Sequence, residues 1–273
     1  MSYASVMVYV DADGTPEQRV QIAAGIADRF NALLIGMSAF GIPPPVVANS
    51  MVIDAPTDAD FELMRAKLAQ NSEWFHSIAT AAHRKLEWRS ELDIPSETLV
   101  RQARSADLVV IGATKPTGSV YSSLDVGGVI LKMGRPTLFV PEGAASLNAE
   151  HVVIGWKDTR EARRAVQDAL PLLHLATRVT IMEACREGEE NTALARLNDV
   201  AVYLKRHRIE CRSKVMVQQQ GSGAAQLIKV AQGERADLLV TGAYGHSRLG
   251  EWVFGGMTRE LLANSAICCL MSH

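Results

Sequence analysis

Apolar positions along the chain follow two alternating rhythms, and the alternation itself repeats. Short unbroken apolar runs (SVMVYV at 5–10, ALLIGM at 32–37, TLFV at 137–140) predict strands buried on both faces. Between them the spacing turns helical: in PEQRVQIAAGIADRF, Val20, Ala23, Ala27 and Phe30 fall on one face. The same order returns further on. HVVIGW at 151–156, RVTIM at 178–182 and ICCLM at 267–271 predict strands. REARRAVQDALPLL predicts a helix with Ala162, Val166 and Leu170 on one face, which Pro171 is expected to kink or end. Further amphipathic helices are predicted around 60–85 and 192–207, and further strands near 86–92 and 209–217.

The clearest internal match is ADLVVIGA, 106–113, against ADLLVTGA, 236–243, identical at six of eight positions. The chain therefore reads as a tandem, with copies at 1–143 and 149–273 and a boundary in EGAASLNAE, 142–150. Strands alternating with helices predict an α/β fold: two open five-stranded parallel sheets, each with helices on both faces and Rossmann-like. In such sheets ligands bind beyond the carboxyl ends of the strands, where strand order reverses. If the first and fourth strands of the second half are neighbours, the segment after ADLLVTG faces Trp156 and Lys157 across one crevice. The proline-rich segment 41–60 has no counterpart of equal length in the second half. It reads as a lid, a partner surface or a passive insertion.

Composition narrows the function classes. With 273 residues, 48% hydrophobic and 21% charged, the chain suits two domains of ordinary size. A net charge of −2 with scattered Lys and Arg points to neither nucleic acid nor an anionic membrane. No stretch reaches the length of a membrane span. The opening MSYASVMVYVDADG lacks a cationic region and has too short an apolar run for a signal peptide, so a cytoplasmic location is expected. Cys185, Cys211, Cys268 and Cys269 form no CxxC pair and read as reduced, mostly buried thiols. His83, His151, His174 and His207 show no metal-ligand spacing, and no metal site is expected.

The segment that carries candidate chemistry is TGAYGHSRLGEWVFGGMTRE, 241–260. Gly242 and Gly245 would let backbone N–H groups converge on an anion. Gly255, Gly256 and Met257 would open the last helix, whose free N–H groups and positive dipole end favour phosphate, and Thr258 would add a hydroxyl. The alternative is a tight strand exit at Gly242 and a helix cap at Thr258. His246, Ser247 and Asp237 supply the residue types of a hydrolytic triad, but no GxSxG elbow accompanies them. No catalytic residue is assigned. Trp156 at its strand end would stack on a base or fill the crevice.

The whole chain resembles a tandem universal stress protein. ATP-binding members of that family carry Gly, two residues, Gly, nine residues, Gly and then Ser or Thr after the fourth strand; Gly242, Gly245 and Gly255 match this spacing, and Thr258 falls where a hydroxyl residue is frequent. The resemblance implies the adenine nucleotide alpha hydrolase-like form of the fold. It also implies a stress-response or regulatory protein rather than an enzyme, at most hydrolysing ATP slowly. ATP or a related nucleotide, with Mg2+, would lie against Trp156, Lys157, Gly242, Tyr244, Gly245, Gly255, Gly256, Met257 and Thr258. Gly256 stands where the family has Ser or Thr, and Lys157 where it has an Asp near the adenine; an ammonium cannot accept from the adenine amino group. The first half keeps that carboxylate as Asp11, but Lys115 replaces the second glycine and Pro116 removes a donor, so no nucleotide is expected there in the usual pose. Fifth strands associate in the family, which implies pairing of the halves through 137–140 and 267–271. A homodimer of whole chains is compatible with this, though no residue indicates one. The alternative function is a family member that binds no nucleotide and acts through protein contacts or another small ligand.

Overall fold

The computed structural model describes all residues except 1, 12, 13, 15, 49–50, 83–84, 114–118, 219–222 and 246–255. By packing, the chain divides into the units Tyr3–Met133 and Gly134–His273.

In the first unit the chain runs β1 (Ser5–Tyr9), α1 (Glu17–Phe30), β2 (Leu33–Ala39), β3 (Val46–Ala48), β4 (Met51–Asp54), α2 (Asp58–Ala82), β5 (Leu86–Glu91), α3 (Pro95–Gln102), β6 (Leu108–Gly112) and α4 (Val126–Met133). Four strands form a parallel sheet in the order β6-β1-β2-β5. The central strands are the unbroken apolar runs, and Val6, Met7 and Val8 are fully buried, as helices on both faces require. β5, LEWRSE, is half-buried and polar at alternate positions, which suits an edge. The long segment 41–60 is not structureless: β3 and β4 pair antiparallel as a small hairpin.

The second unit runs β7 (Thr137–Val140), β8 (His151–Gly155), α5 (Arg160–Leu173), β9 (Arg178–Cys185), α6 (Glu190–Arg206), β10 (Arg212–Val217), α7 (Gly223–Gly233), β11 (Leu238–Gly242), α8 (Gly256–Asn264) and β12 (Cys268–Ser272). Its sheet has the order β10-β9-β8-β11-β12-β7, parallel except that β7 runs antiparallel to β12 with Phe139 opposite Cys269. Because β7 pairs in this way, residues 142–150 lie inside the second unit. α5 continues through Pro171 and stops two residues later, at Leu173. The four cysteines are free thiols; Cys268 and Cys269 are buried in β12, and burial pushes both up to about 12.

The repeated ADL has a structural reason in each unit. Asp107 accepts from the backbone N–H groups of Ala4 (2.7 Å) and Ser5 (3.0 Å), clamping the start of β1 beside β6. Asp237 accepts from Glu150 and His151, both at 3.0 Å, and does the same for β8 beside β11. Two charge-assisted bonds at a strand start fix the register that brings the carboxyl ends of β8 and β11 level. Among the described residues no helix is long and apolar enough to cross a membrane.

Candidate functional site

β8 and β11 are adjacent and parallel, with Thr241 opposite Gly155. Both point their carboxyl ends at the first turn of α5, whose cap is Thr159; its hydroxyl accepts from the Ala162 N–H at 3.3 Å. β11 comes very close to that turn. A Cβ at Gly242 would stand 2.6 Å from the Ala162 nitrogen and 2.7 Å from the Glu161 carbonyl carbon, so only glycine fits. The chain then turns through Ala243 and Tyr244, the latter left-handed at φ 54°. The Tyr244 N–H donates to Thr258 Oγ1 at 3.1 Å, tying the turn to the first turn of α8. Thr258 is buried, Met257 exposed, and Gly256 has open space where a side chain would project. Gly255 lies outside the described residues, as do His246, Ser247 and Arg248.

The structure thus brings Gly242, Tyr244, Gly245 and Thr258 together and sets Glu161, which the sequence reading passed over, beside them. Glu161 is only 1% exposed. Its Oε1 accepts from Arg160 Nε at 2.5 Å, whereas among the described residues Oε2 is buried without a hydrogen-bond partner. A Cβ placed at Gly245 would lie 3.2 Å from this Oε2 and 3.6 Å from Thr159 Oγ1. Burial alone would raise the Glu161 carboxyl. The Arg160 guanidinium, its own backbone N–H and the Thr159 hydroxyl outweigh it and hold the group below the ordinary carboxylate range, so it is ionised at neutral pH. The signal for Glu161 was the repeat itself: aligning Val20 with Ala162 pairs Glu161 with Arg19, a position charged in both helices.

Trp156 and Lys157 take different surroundings. Trp156 donates its backbone N–H to the Met182 carbonyl at 2.7 Å, and its side chain lines a cavity of about 460 Å³ with Asp158, Arg163, Val166, Arg196 and Tyr203. Its indole Nε1 is buried and unpartnered among the described residues. Lys157 is exposed. Asp237 sits at the opposite end of β11, occupied with the start of β8, which removes it from any triad. His151 is buried, with Nδ1 against the Glu234 carbonyl at 2.7 Å. Among the described residues no three of His, Cys, Asp and Glu gather as a metal site.

In the first unit the matching crevice is filled from within. Arg19 is 6% exposed and donates to the Tyr9 carbonyl (2.9 Å), Asp11 Oδ2 (2.9 Å) and the Ala113 carbonyl (3.3 Å). Its guanidinium lies against Gly112, where a Cβ would meet Nε at 2.5 Å. Burial pushes the Asp11 carboxyl up, and Arg19 pulls it back only in part. Asp11 is thus engaged with the protein's own cation. Gly127 is the second residue of α4 in this unit; Gly134, the first residue of the second unit, turns into β7 at φ 62°; Lys115 and Pro116 lie outside the described residues.

Residues 150–273 match the family model described as the universal stress protein family. No curated protein matches the chain. Among solved structures, a universal stress protein from Archaeoglobus fulgidus DSM 4304 is similar with a TM-score of 0.76 at 13% identity, over 98% of this chain and 95% of that one. A functionally unknown protein from Pseudomonas aeruginosa PAO1 is similar with a TM-score of 0.59 at 14% identity, over 99% and 92%. At such identities the likeness is one of fold.

Proposed function

From the premise that the second half of this chain belongs to the universal stress protein family, we propose that the protein is a cytoplasmic stress-response or regulatory protein that binds ATP or a related nucleotide through that half. The observation that carries this reading is the Tyr244 N–H to Thr258 Oγ1 bond. It holds the glycine turn against the start of α8, and a phosphate placed between them would be within reach of backbone N–H groups of the turn and of the first turn of the helix. Gly242, Tyr244, Gly245, Gly256, Met257 and Thr258 are assigned to the phosphates, with Gly255 added from its spacing. Trp156 and Lys157 are assigned to the base side. The role is binding rather than catalysis, with slow hydrolysis at most, because no general base has been identified. The two domain copies are placed at 1–143 and 149–273, joined within the chain through their last strands, and the antiparallel β7–β12 register supports this. Homodimerisation would come in addition.

The test is calorimetric titration of ATP into Gly245→Val. A branched side chain there projects towards Glu161 Oε2 and into the proposed phosphate position. Binding should be lost, with the fold retained by circular dichroism. Undiminished affinity would refute the site. A second reading, in which another small ligand replaces the nucleotide, is supported by the cavity between α5 and α6, where Trp156 Nε1 lacks a partner among the described residues.

A further inference from the structure

The orphan oxygen of Glu161 sets a condition on whatever occupies the glycine turn, and the inference rests on the nucleotide reading above. A phosphate seated at Gly245 would meet a buried carboxylate there, since Oε2 lies 3.2 Å from the Cβ position of that residue. Two anions brought together beside this turn would repel strongly away from water. Arg160 neutralises only the other oxygen and is itself largely exposed. We infer that Glu161 makes nucleotide binding in the second half conditional on a divalent cation, to which its buried carboxylate would serve as the protein's ligand.

The donor set fits that role. Mg2+ is ordinarily held by one or two carboxylates together with substrate phosphates and water, rather than by an all-protein cage. Here one buried carboxylate oxygen has no hydrogen-bond partner among the described residues, and the Thr159 hydroxyl, which also acts on this carboxyl group, lies near the same point, 3.6 Å from the Gly245 Cβ position. Among the described residues no protein cluster could hold the cation alone, so the cation arrives with the nucleotide. The first unit offers the contrasting solution, because Arg19 places a cation of the protein's own beside Asp11.

The experiment is titration of the full chain with ATP in MgCl2 and again in EDTA, for wild type and Glu161→Gln, with MnCl2 alone as a third arm. Wild type should bind more tightly with Mg2+ by about tenfold or more, the order of effect that one neighbouring charge exerts on another. In Glu161→Gln the advantage should collapse towards unity because binding of free ATP improves. MnCl2 alone should not bind. Equal affinity of wild type in the two buffers, an unchanged ratio in the variant, or tight binding of MnCl2 alone would each overturn the inference while leaving nucleotide binding intact. Absence of ATP binding in every arm would overturn the nucleotide reading and this inference with it. If Glu161→Gln does not fold, Glu161→Asp, which withdraws the carboxylate by one methylene, reads the same ratio.

Discussion

The two halves end their fourth strands in the same place and treat it in opposite ways. In the first, Arg19 lies on Gly112 and satisfies Asp11 together with two carbonyls, so the crevice is closed by an internal ion pair. In the second, the position that the repeat aligns with Arg19 is Glu161, which leaves one carboxylate oxygen facing Gly245 with no partner among the described residues. One charge reversal separates a self-satisfied crevice from one that still has an unmet demand. Buried polar groups are normally paired, and an exception points to strain or to a ligand. The comparison therefore assigns a structural role to Arg19 and a functional one to Glu161.

Removing each residue should separate these roles, and Arg19 gives the largest effect. Arg19→Ala strips the donor from Asp11 and from the Tyr9 and Ala113 carbonyls. Breaking a buried pair by deleting one partner costs about 3 kcal/mol, the lower end of the usual range because Asp11 keeps some exposure. Glu161→Ala deletes a carboxylate whose ionic partner, Arg160, is mostly solvated, so the loss should stay below about 1 kcal/mol. Urea denaturation of both variants measures the difference. Equal losses would show that Glu161 is as structural as Arg19.

Glycine substitution sharpens the same contrast at a smaller scale. A methyl at Gly242 meets backbone, the Ala162 nitrogen and the Glu161 carbonyl carbon, neither of which can turn aside. A methyl at Gly112 meets the far end of a long side chain, the Arg19 guanidinium, which can move at the expense of part of its bonding. Gly242→Ala should therefore cost about 2 kcal/mol, as overpacking usually does. Gly112→Ala should cost about 1 kcal/mol, near the net worth of one hydrogen bond. The reverse order in chemical denaturation would mean that the close approach of β11 to α5 is more compliant than its geometry indicates.

Much of this frame was legible in the sequence, and the reasons for the rest are specific. The ADL repeat located β6 and β11 because parallel strands buried on both faces keep unbroken apolar runs. The hairpin at 46–54 went unread for the opposite reason: Val46, Val47 and Ile53 are largely exposed, so their pattern encodes no buried face. The glycine turn was read from spacing alone, and the structure adds the reason for Gly242, a backbone approach that no linear pattern expresses. Arg19 and Glu161 were passed over, although the repeat aligns them, because charged residues beside a predicted apolar helix face read as solvated. Their burial follows from where the strand ends reach, which is a property of the packed sheet. The pairing of 137–140 with 267–271 was expected from the family resemblance, but not that β7 packs as part of the second unit.

The smallest effect is a pH dependence whose sign differs between the two crevices. Glu161 has its folded-state pKa depressed, so the stability it contributes is present above the unfolded carboxylate value and is lost as pH falls through the folded one. Asp11 has its folded-state pKa raised, chiefly by burial against the pull of Arg19, so its contribution is present below the unfolded value and is lost as pH rises through the folded one. The two windows meet at the ordinary carboxylate pKa, near 4. Urea denaturation of wild type, Asp11→Asn and Glu161→Gln across this range measures both. The stability of Asp11→Asn relative to wild type should rise with pH above that point, because only wild type loses stability there. That of Glu161→Gln relative to wild type should rise as pH drops below it, because the variant has no carboxylate to protonate. Parallel difference curves would mean that both carboxylates sit in equivalent surroundings, and the contrast between a filled crevice and a waiting one would fall.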